Sequence, residues 1–317
     1  LRKIDVHVFE EGYIRPDWLT LEPSGVNGNS SLSRDPQWFL EEAKSLPPVP
    51  ARPPITASFN RRARDSYRYY HYVVVGRLAY PFYQSHRKGV IIFEGFGWIR
   101  KLASKRIEQA RAERLLGELG DTPYFIFPLQ LSTDFQIRAH SPFQDMAEAI
   151  DYVLYSFARR APSNVKLVIK EHPLDVTFRS WRHHIMRLAH RFGVQDRVIF
   201  VSGGDLQQLS DGSAGMVTIN STSATLALAS GIPTIALGKA IYNVPSITHQ
   251  GRLDDFWSRP QAPEEAVYDA FRRVLYDRCL IYGGLASESA TQILVESAVE
   301  RLAGNRVSHW APMLIPA

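Results

Sequence analysis

A chain of 317 residues is long enough to bury a large core, split between two domains. Its 45% apolar and 22% charged residues are ordinary for a soluble globular protein, and its one cysteine, Cys279, excludes an intramolecular disulfide and a cysteine-based zinc site. The formal charge of +5 and a pI near 9.3 favour an anionic partner: nucleotide, acidic sugar, lipid headgroup or nucleic acid. No secretory signal is legible, nor an apolar run of the ~18 residues that a membrane helix needs, so the cytoplasm is the expected compartment.

The chain starts with Leu1 and enters almost at once a short strand at residues 5–9, which reads as a fragment lacking its first βα units. Residues 13–54 form a long region rich in Pro, Gly, Asn and Ser, with one helix expected near 37–45; loops of this length inside a domain are usually functional. Residues 60–86, rich in Arg and Tyr, and 98–119, highly charged and stopped by Gly120-Asp121, read as two helices. The pattern then changes. Residues 124–129 (YFIFPL) read as an apolar strand. Residues 143–160 read as an amphipathic helix, because Phe143, Met146, Ala147, Ile150, Val153, Leu154 and Phe157 recur at helical spacing. Further strands are expected at 165–169, 198–201, 215–219 and 234–237, and helices at 181–192, 205–210, 224–230 and 263–276. Such alternation makes βα units, hence an α/β fold whose parallel sheet is covered on both faces. The domain boundary is expected near Gly120, dividing 1–120 from 121–317.

Two strand ends carry the clearest chemistry. Lys170-Glu171-His172-Pro173 follows the strand at 165–169, and Asn220-Ser221-Thr222-Ser223 follows that at 215–219, ahead of a helix closed by Gly231. In an open parallel sheet ligands bind beyond the carboxyl ends of the strands, and a helix start with Ser or Thr caps is an anion site. One cationic and one hydroxyl-rich end point to a pocket for a phosphorylated ligand. Pro173 restricts His172 to extended backbone. Lys170, one pleat period earlier, is expected on the same side. A lone His at a strand end is more often structural, and Ser/Thr caps are common without a ligand. A cap needs one hydroxyl, however, and Ser221, Thr222, Ser223 and Thr225 supply several.

Asp134, at the end of Gln130-Leu131-Ser132-Thr133-Asp134, follows the first strand of the second domain and is expected to face the same side as His172 and residues 221–223. Arg138 and His140 lie just beyond. The plainer alternative is a loop Asp capping the helix near Phe143. Glu10 and Glu11 close the strand at 5–9. Across a cleft between two domains, Glu11 and Asp134 would oppose each other as paired carboxylates do in glycosyl chemistry; alternatively, Glu10 and Glu11 are solvated or salt-bridged to Arg15.

Residues 60–88 interleave Arg61, Arg62, Arg64, Arg68, Arg77, Arg87 and Lys88 with Tyr67, Tyr69, Tyr70, Tyr72, Tyr80 and Tyr83. Such a segment can grip nucleic acid, lie on an anionic membrane, or form an amphipathic helix with a Tyr/Val core face. No RNP, zinc-finger or helix-turn-helix signature occurs, which ranks nucleic acid last. Metal-ligand spacing, GxGxxG, Walker A and GxSxG are also absent from the sequence.

The run Phe9-Glu10-Glu11-Gly12-Tyr13-Ile14-Arg15-Pro16-Asp17-Trp18, with Thr20, Glu22, Gly25-Val26-Asn27 and Ser30, resembles the signature of bacterial capsular polysaccharide biosynthesis and export proteins. These include the retaining β-Kdo transferases that build the linker between capsule and lipid. The stretches at 130–134, 171–173, and 220–223 through Gly231-Ile232-Pro233 match in the same order, and the length suits one transferase module. The resemblance implies a GT-B-like fold, two Rossmann-like domains around a cleft, with an incomplete acceptor-side domain over 1–120 and a CMP-sugar domain over 121–317. It implies CMP-Kdo as donor substrate, no cofactor and no metal. The implied partners are a lipid acceptor at the inner face of the cytoplasmic membrane and other capsule assembly proteins, but no nucleic acid. Lys170, His172 and Pro173, with Ser221, Thr222 and Ser223, match the positions that hold CMP. Asp134 then takes the place of the nucleophile and Glu11 that of the general acid/base. Glu10, Arg15, Gln130, Arg138, His140 and Asn220 are assigned to the substrate. Two other readings stay open: a non-catalytic capsule-assembly or export factor that binds glycolipid, and another enzyme class, such as a sugar-nucleotide epimerase, that turns over without an acceptor.

Overall fold

The computed structural model describes residues 4–49, 51–55, 59–80, 82, 91–132, 134–176 and 180–304. They form two compact units, one from Leu1–His86 with Asp269–Ala317, the other from Arg87–Tyr268. The first unit starts with β1 (His7–Glu11), β2 (Trp18–Pro23), α1 (Pro36–Ala43) and α2 (Phe59–Ala79). The second runs through α3 (Ile91–Leu119), β3 (Tyr124–Pro128), α4 (Phe135–His140), α5 (Met146–Arg160), β4 (Lys166–Lys170), α6 (Trp181–Arg191), β5 (Val198–Val201), α7 (Leu206–Asp211), β6 (Gly215–Thr218), α8 (Ala224–Ala229), β7 (Thr234–Ala236) and α9 (Leu253–Phe256). The chain returns to the first unit along α10 (Glu265–Arg278), followed by β8 (Leu280–Tyr282) and α11 (Glu288–Leu302).

The second unit is the expected α/β layer structure. Its five strands are all parallel, in the order β5-β4-β3-β6-β7. They are short apolar runs because both faces are covered: Phe125, Ile126, Phe127, Leu167, Val168, Ile169, Met216 and Val217 are all buried. Against them α5 sets Ile150, Val153, Leu154 and Phe157, the stripe that its helical spacing predicts. Trp257 locks this layer edge-on to Phe125 and Phe157, at 5.1 and 5.3 Å between ring centroids, and its Nε1 donates to Ser156 Oγ. From β3 the chain steps outward to β4 and β5, then returns to β6 and β7 on the other side. The strand order therefore reverses between β3 and β6, the position where open α/β sheets leave a crevice.

The first unit is built differently. Among its described residues the sheet has three antiparallel strands, β1-β2-β8. Of the two Rossmann-like domains that the family resemblance implies, the second unit shows the parallel layer, which the first lacks among its described residues. The long signature around residues 9–30 proves to be the scaffold of this first unit. Tyr13 is buried; its hydroxyl donates to Glu22 Oε1 and accepts from Asn27 N, both at 2.5 Å. Ser30 Oγ donates to Glu22 Oε2, and Arg34 donates to the Asn27 carbonyl. Burial, reinforced by the Glu22 charge, pushes the Tyr13 phenol far above its ordinary range. Gly12 is required by proximity, since a Cβ there would lie 2.1 Å from the Trp18 carbonyl oxygen. Trp18 itself packs edge-on against Tyr276, at 4.6 Å.

Several expectations are corrected. The boundary near Gly120 gives way to the division at 86–87 and 268–269, because α3 docks on the loops after β4 and β5, while β8 pairs with β2. The region 13–54 contains β2, whose apolar run is interrupted by the buried polar residues Thr20 and Glu22. The helix expected from Phe143 begins at Met146, where the Asp145 carboxylate accepts from Glu148 N. Among the described residues of α2, the Tyr/Val core face expected for residues 60–88 is at most half-buried: Tyr67, Tyr72, Val74 and Val75 are exposed, and Tyr70 and Val73 are partly covered. Thr133 and residues 83–88, including Tyr83, Arg87 and Lys88, lie outside the described residues, as do the side chains of Arg62 and Arg77.

Candidate functional site

The crevice between β3 and β6 is filled by a polar cluster. Gln130, two residues past β3, is 4% exposed, and Asn220, two past β6, is 2% exposed. Gln130 Nε2 donates to Asn220 Oδ1 at 2.9 Å, while Asn220 N donates back to Gln130 Oε1 at 3.2 Å. The same Nε2 donates to Asp134 Oδ2 at 3.0 Å. Asn220 Nδ2 reaches the Gln136 carbonyl at 2.9 Å, and Gln136 N donates to Asp134 Oδ1 at 2.9 Å. Each carboxylate oxygen of Asp134 thus accepts one fixed donor and keeps a lone pair for a further group. Asp134 caps a helix, as the plainer alternative held, but its own helix α4 rather than the later one. Neither alternative anticipated that the cap and the buried amide pair are one network.

The remaining predicted residues fall outside that cluster. Arg138 is exposed with its guanidinium 5.7 Å from the Phe135 ring, and the His140 carbonyl accepts from Lys239 N. Ser221 Oγ lies 2.8 Å from Ser223 Oγ and accepts from Ser223 N; the Ser221 carbonyl accepts from the buried Tyr242 hydroxyl at 2.6 Å. Burial pushes that phenol above its ordinary range. The Thr225 hydroxyl turns back to the Thr222 carbonyl. Most of these hydroxyls are therefore engaged locally. At six residues, α8 is also too short for a strong dipole, and its N-cap Ser223 makes no side-chain cap bond.

β4 ends at Lys170, so the pleat that would set Lys170 and His172 on one side stops two residues short of His172. Lys170 is 7% exposed; its ammonium donates to the Gly203 carbonyl at 3.0 Å, and burial lowers its pKa, with Lys101 adding to the effect. It lines a cavity of about 560 Å³ with Trp98, Lys101, Pro173, Arg182 and Phe200, and residues 221–223 do not line it. His172 sits in the turn after β4, where its Nδ1 accepts from Leu174 N at 3.1 Å, which assigns the ring proton to Nε2 in the neutral form.

Glu10, Glu11 and Arg15 belong to the first unit. Glu10 is half-buried on β1, in register with Thr20. Glu11 is paired with Arg15 at 2.7 Å, both side chains more than half exposed, which is the salt bridge named as the alternative.

Residues that sequence reasoning passed over hold the site together. The Asp175 carboxylate accepts from Ser132 N, Ser132 Oγ and Trp181 Nε1, at 3.3, 3.2 and 3.0 Å. Lys101 donates to the carbonyls of His172 and Asp175. An acidic residue two past His-Pro was the available signal for Asp175; nothing local marks Lys101, which is 71 residues away from His172. Among the described residues no group of three or more His, Cys, Asp or Glu is placed to hold a metal ion, and no helix is long and apolar enough to cross a membrane.

Comparison with known proteins gives the family. The capsule polysaccharide biosynthesis protein family matches residues 2–284. The Escherichia coli capsule polysaccharide export protein KpsS is 35% identical over 277 residues, covering 84% of this chain and 69% of that protein. The Neisseria meningitidis capsule polysaccharide modification protein LipB is 34% identical over 288 residues, covering 88% and 68%. Among solved structures, the Thermosulfurimonas dismutans KpsC β-Kdo 2,7 transferase aligns with a TM-score of 0.45 at 15% identity, covering 91% of this chain and 76% of that one. With its signature scaffold and its sequence match over nearly the whole length, the chain belongs to the capsule polysaccharide biosynthesis protein family.

Proposed function

We propose that this chain is a glycosyltransferase that moves Kdo from CMP-Kdo, with retention, to a lipid or Kdo-lipid acceptor in the capsular linker, working at the inner face of the cytoplasmic membrane in a GT-B arrangement. The observation that carries this reading is Asp134: a carboxylate held by two donors at the point where the strand order reverses, with lone pairs left to attack. Family membership supplies the capsular context, and the positive net charge suits an acidic sugar and a phosphate.

In this reading CMP lies between His172 and residues 221–223. The Asp134 carboxylate attacks the anomeric carbon, the bond to the CMP phosphate breaks, and CMP leaves with the bonding pair. The acceptor hydroxyl then attacks the same carbon, its proton passes to Glu11, and the Asp134 carboxylate is released. Two inversions give net retention. The leaving group already carries charge, so positive charge around the phosphate stabilises its departure. A non-catalytic export factor is the competing reading. It is favoured by the Arg15 salt bridge, which occupies the Glu11 carboxylate.

Intact-protein mass spectrometry with CMP-Kdo tests the proposal. Glu11→Gln should accumulate a Kdo adduct that peptide mapping places on Asp134, while Asp134→Ala should neither form the adduct nor transfer. Transfer by Asp134→Ala, or an adduct mapped elsewhere, removes Asp134 as nucleophile. No CMP release by the wild type in the presence of glycolipid acceptor favours the export factor.

A further inference from the structure

The turn that carries His172 is held from three directions, and α3 makes the first of these holds. Its Lys101 ammonium donates to the His172 carbonyl at 2.9 Å and the Asp175 carbonyl at 2.7 Å, and lies 3.6 Å from the Glu171 carboxylate. An ammonium has three donors and no acceptor, so this cation is spent on one turn of backbone. The helix is seated for the purpose. A Cβ at Gly97 would lie 2.6 Å from the Val176 carbonyl oxygen, and one at Gly203 would lie 2.4 Å from that of Glu108, so both contacts require glycine. Gln109 completes the seat by accepting from Gly204 N at 3.0 Å.

The other two holds run through Asp175. Its amide donates to the His172 carbonyl at 3.1 Å and closes the turn. Its carboxylate accepts from Trp181 Nε1 of α6, and from the amide and hydroxyl of Ser132, two residues before Asp134. The turn that bears His172 and the loop that bears Asp134 are therefore joined through one side chain, which Lys101 fixes by its backbone.

We propose that Lys101 and Asp175 are positioning residues: Lys101 clamps the turn to α3, Asp175 couples the turn to the Asp134 loop, and together they set the geometry in which donor and nucleophile meet. The inference rests on the donor role proposed for His172, but the clamp can be tested without it.

Amide hydrogen exchange of Leu174 and Asp175 reads the turn directly. Lys101→Met should speed it by about tenfold or more, while Lys101→Arg, which keeps donors in reach of both carbonyls, should restore protection. Asp175→Asn should loosen Ser132 as well as the turn. The exchange of β3 and α5 amides should stay unchanged in each variant, which separates local release from unfolding. CMP titration of the same proteins should show Kd raised about tenfold in Lys101→Met and partly recovered in Lys101→Arg. Unchanged exchange at Leu174 and Asp175 in Lys101→Met overturns the clamp. Faster exchange with unchanged CMP affinity overturns the positioning role. If the wild type binds no CMP, the proposed function fails, and exchange alone still decides whether Lys101 holds the turn. Should Lys101→Met not fold, Lys101→Gln provides the same test with a donor too short for both carbonyls.

Discussion

Gln130 and Asn220, 90 residues apart in the chain, pair reciprocally across the reversal in strand order, side-chain amide against side-chain amide and backbone. Gln130 Nε2 is shared with Asp134, so the carboxylate proposed to react inherits its position from a pair that water scarcely reaches. Burying an amide costs free energy unless its hydrogen bonds are made, and here the Gln130 Oε1 and Asn220 Oδ1 acceptors each take their donor from the other residue.

The consequence for Gln130 is specific. Gln130→Ala leaves two buried groups of Asn220 without partners, at a cost of about 2–6 kcal/mol, since each unsatisfied group costs about 1–3 kcal/mol. Gln130→Glu should be worse, because it sets an acceptor against Asn220 Oδ1 and a second carboxylate against Asp134. Urea denaturation should order them wild type, Gln130→Ala, Gln130→Glu. Equal midpoints would mean that water replaces the pairing.

Much of the second unit was legible in the sequence, because its strands are continuous apolar runs separated by helices with a 3.6-residue period. The same logic failed at β2: Trp18–Pro23 pairs on both sides, yet Thr20 and Glu22 hide its apolar pattern, and Glu22 is buried only because Tyr13 and Ser30 donate to it. At the site, Asp134 and Asn220 could be placed at strand ends, since topology alone puts them there. What holds Asp134 could not, because Gln130 faces Asn220 through a pairing of distant strands and Lys101 reaches His172 from another helix. The relation expected between Lys170 and His172 extends the pleat one pair beyond the last strand residue, Lys170.

Tyr13 and Glu22 carry the second prediction. Tyr13→Phe removes a donor to Glu22 and an acceptor from Asn27 N together, so it should cost about 2–3 kcal/mol despite preserving the ring. Glu22→Gln keeps the volume but replaces one of the two acceptors with an NH₂ that faces either the Tyr13 or the Ser30 hydroxyl. The Ser30 hydroxyl can rotate to accept from that NH₂ while Tyr13 keeps donating to the amide oxygen, which makes Glu22→Gln the milder change. Thermal unfolding of the two variants checks the order.

The donor site gives the third. His172→Ala should weaken CMP binding by about 1–3 kcal/mol, the scale of a lost charge-assisted hydrogen bond. Lys170→Met should act less, because its ammonium is directed to the Gly203 carbonyl and the cavity lined by Trp98 rather than to residues 221–223. Calorimetry separates these. Unchanged affinity in both His172→Ala and Ser221→Ala puts the nucleotide elsewhere.

His249 sets a pH dependence. Its ring is buried beside Phe256 at 5.2 Å, neither nitrogen has a partner among the described residues, and burial lowers its pKa below the ordinary 6.5, against an opposing pull from Asp255. Below pH ~6.5 the unfolded chain therefore takes up a proton that the folded chain refuses, so stability is full above that pH and falls as pH drops toward the folded pKa. The slope from this one group is at most about 1.4 kcal/mol per pH unit. His249→Leu should flatten the decline between pH 5 and 7 while costing little at pH 8. An identical slope in the variant would assign the decline to other groups.

The last prediction concerns α2. Tyr67, Tyr70 and Val74 fall at i, i+3 and i+7, one stripe of the helix, and Arg61, Arg64 and Arg68 repeat the same spacing on a neighbouring stripe. Tyr67 is 70% exposed and Val74 55%, with Tyr70 between them half-buried, so most of this apolar stripe faces solvent. Basic heads beside interfacial aromatics match the surface of an anionic bilayer, where each Arg contributes about 1 kcal/mol near the headgroups. Arg61 is already shared with Asp65 at 3.7 Å, so Arg64 and Arg68 should carry more of the attraction. Flotation with vesicles containing anionic lipid should therefore bind the wild type at low salt and release it as salt rises, since exposed charges are screened beyond about 10 Å at 0.1 M. Arg64→Glu with Arg68→Glu should abolish binding, whereas Tyr67→Ala should weaken it at every salt concentration, because insertion of a ring does not depend on screening. Binding that ignores both salt and charge reversal would leave α2 without a role at the membrane.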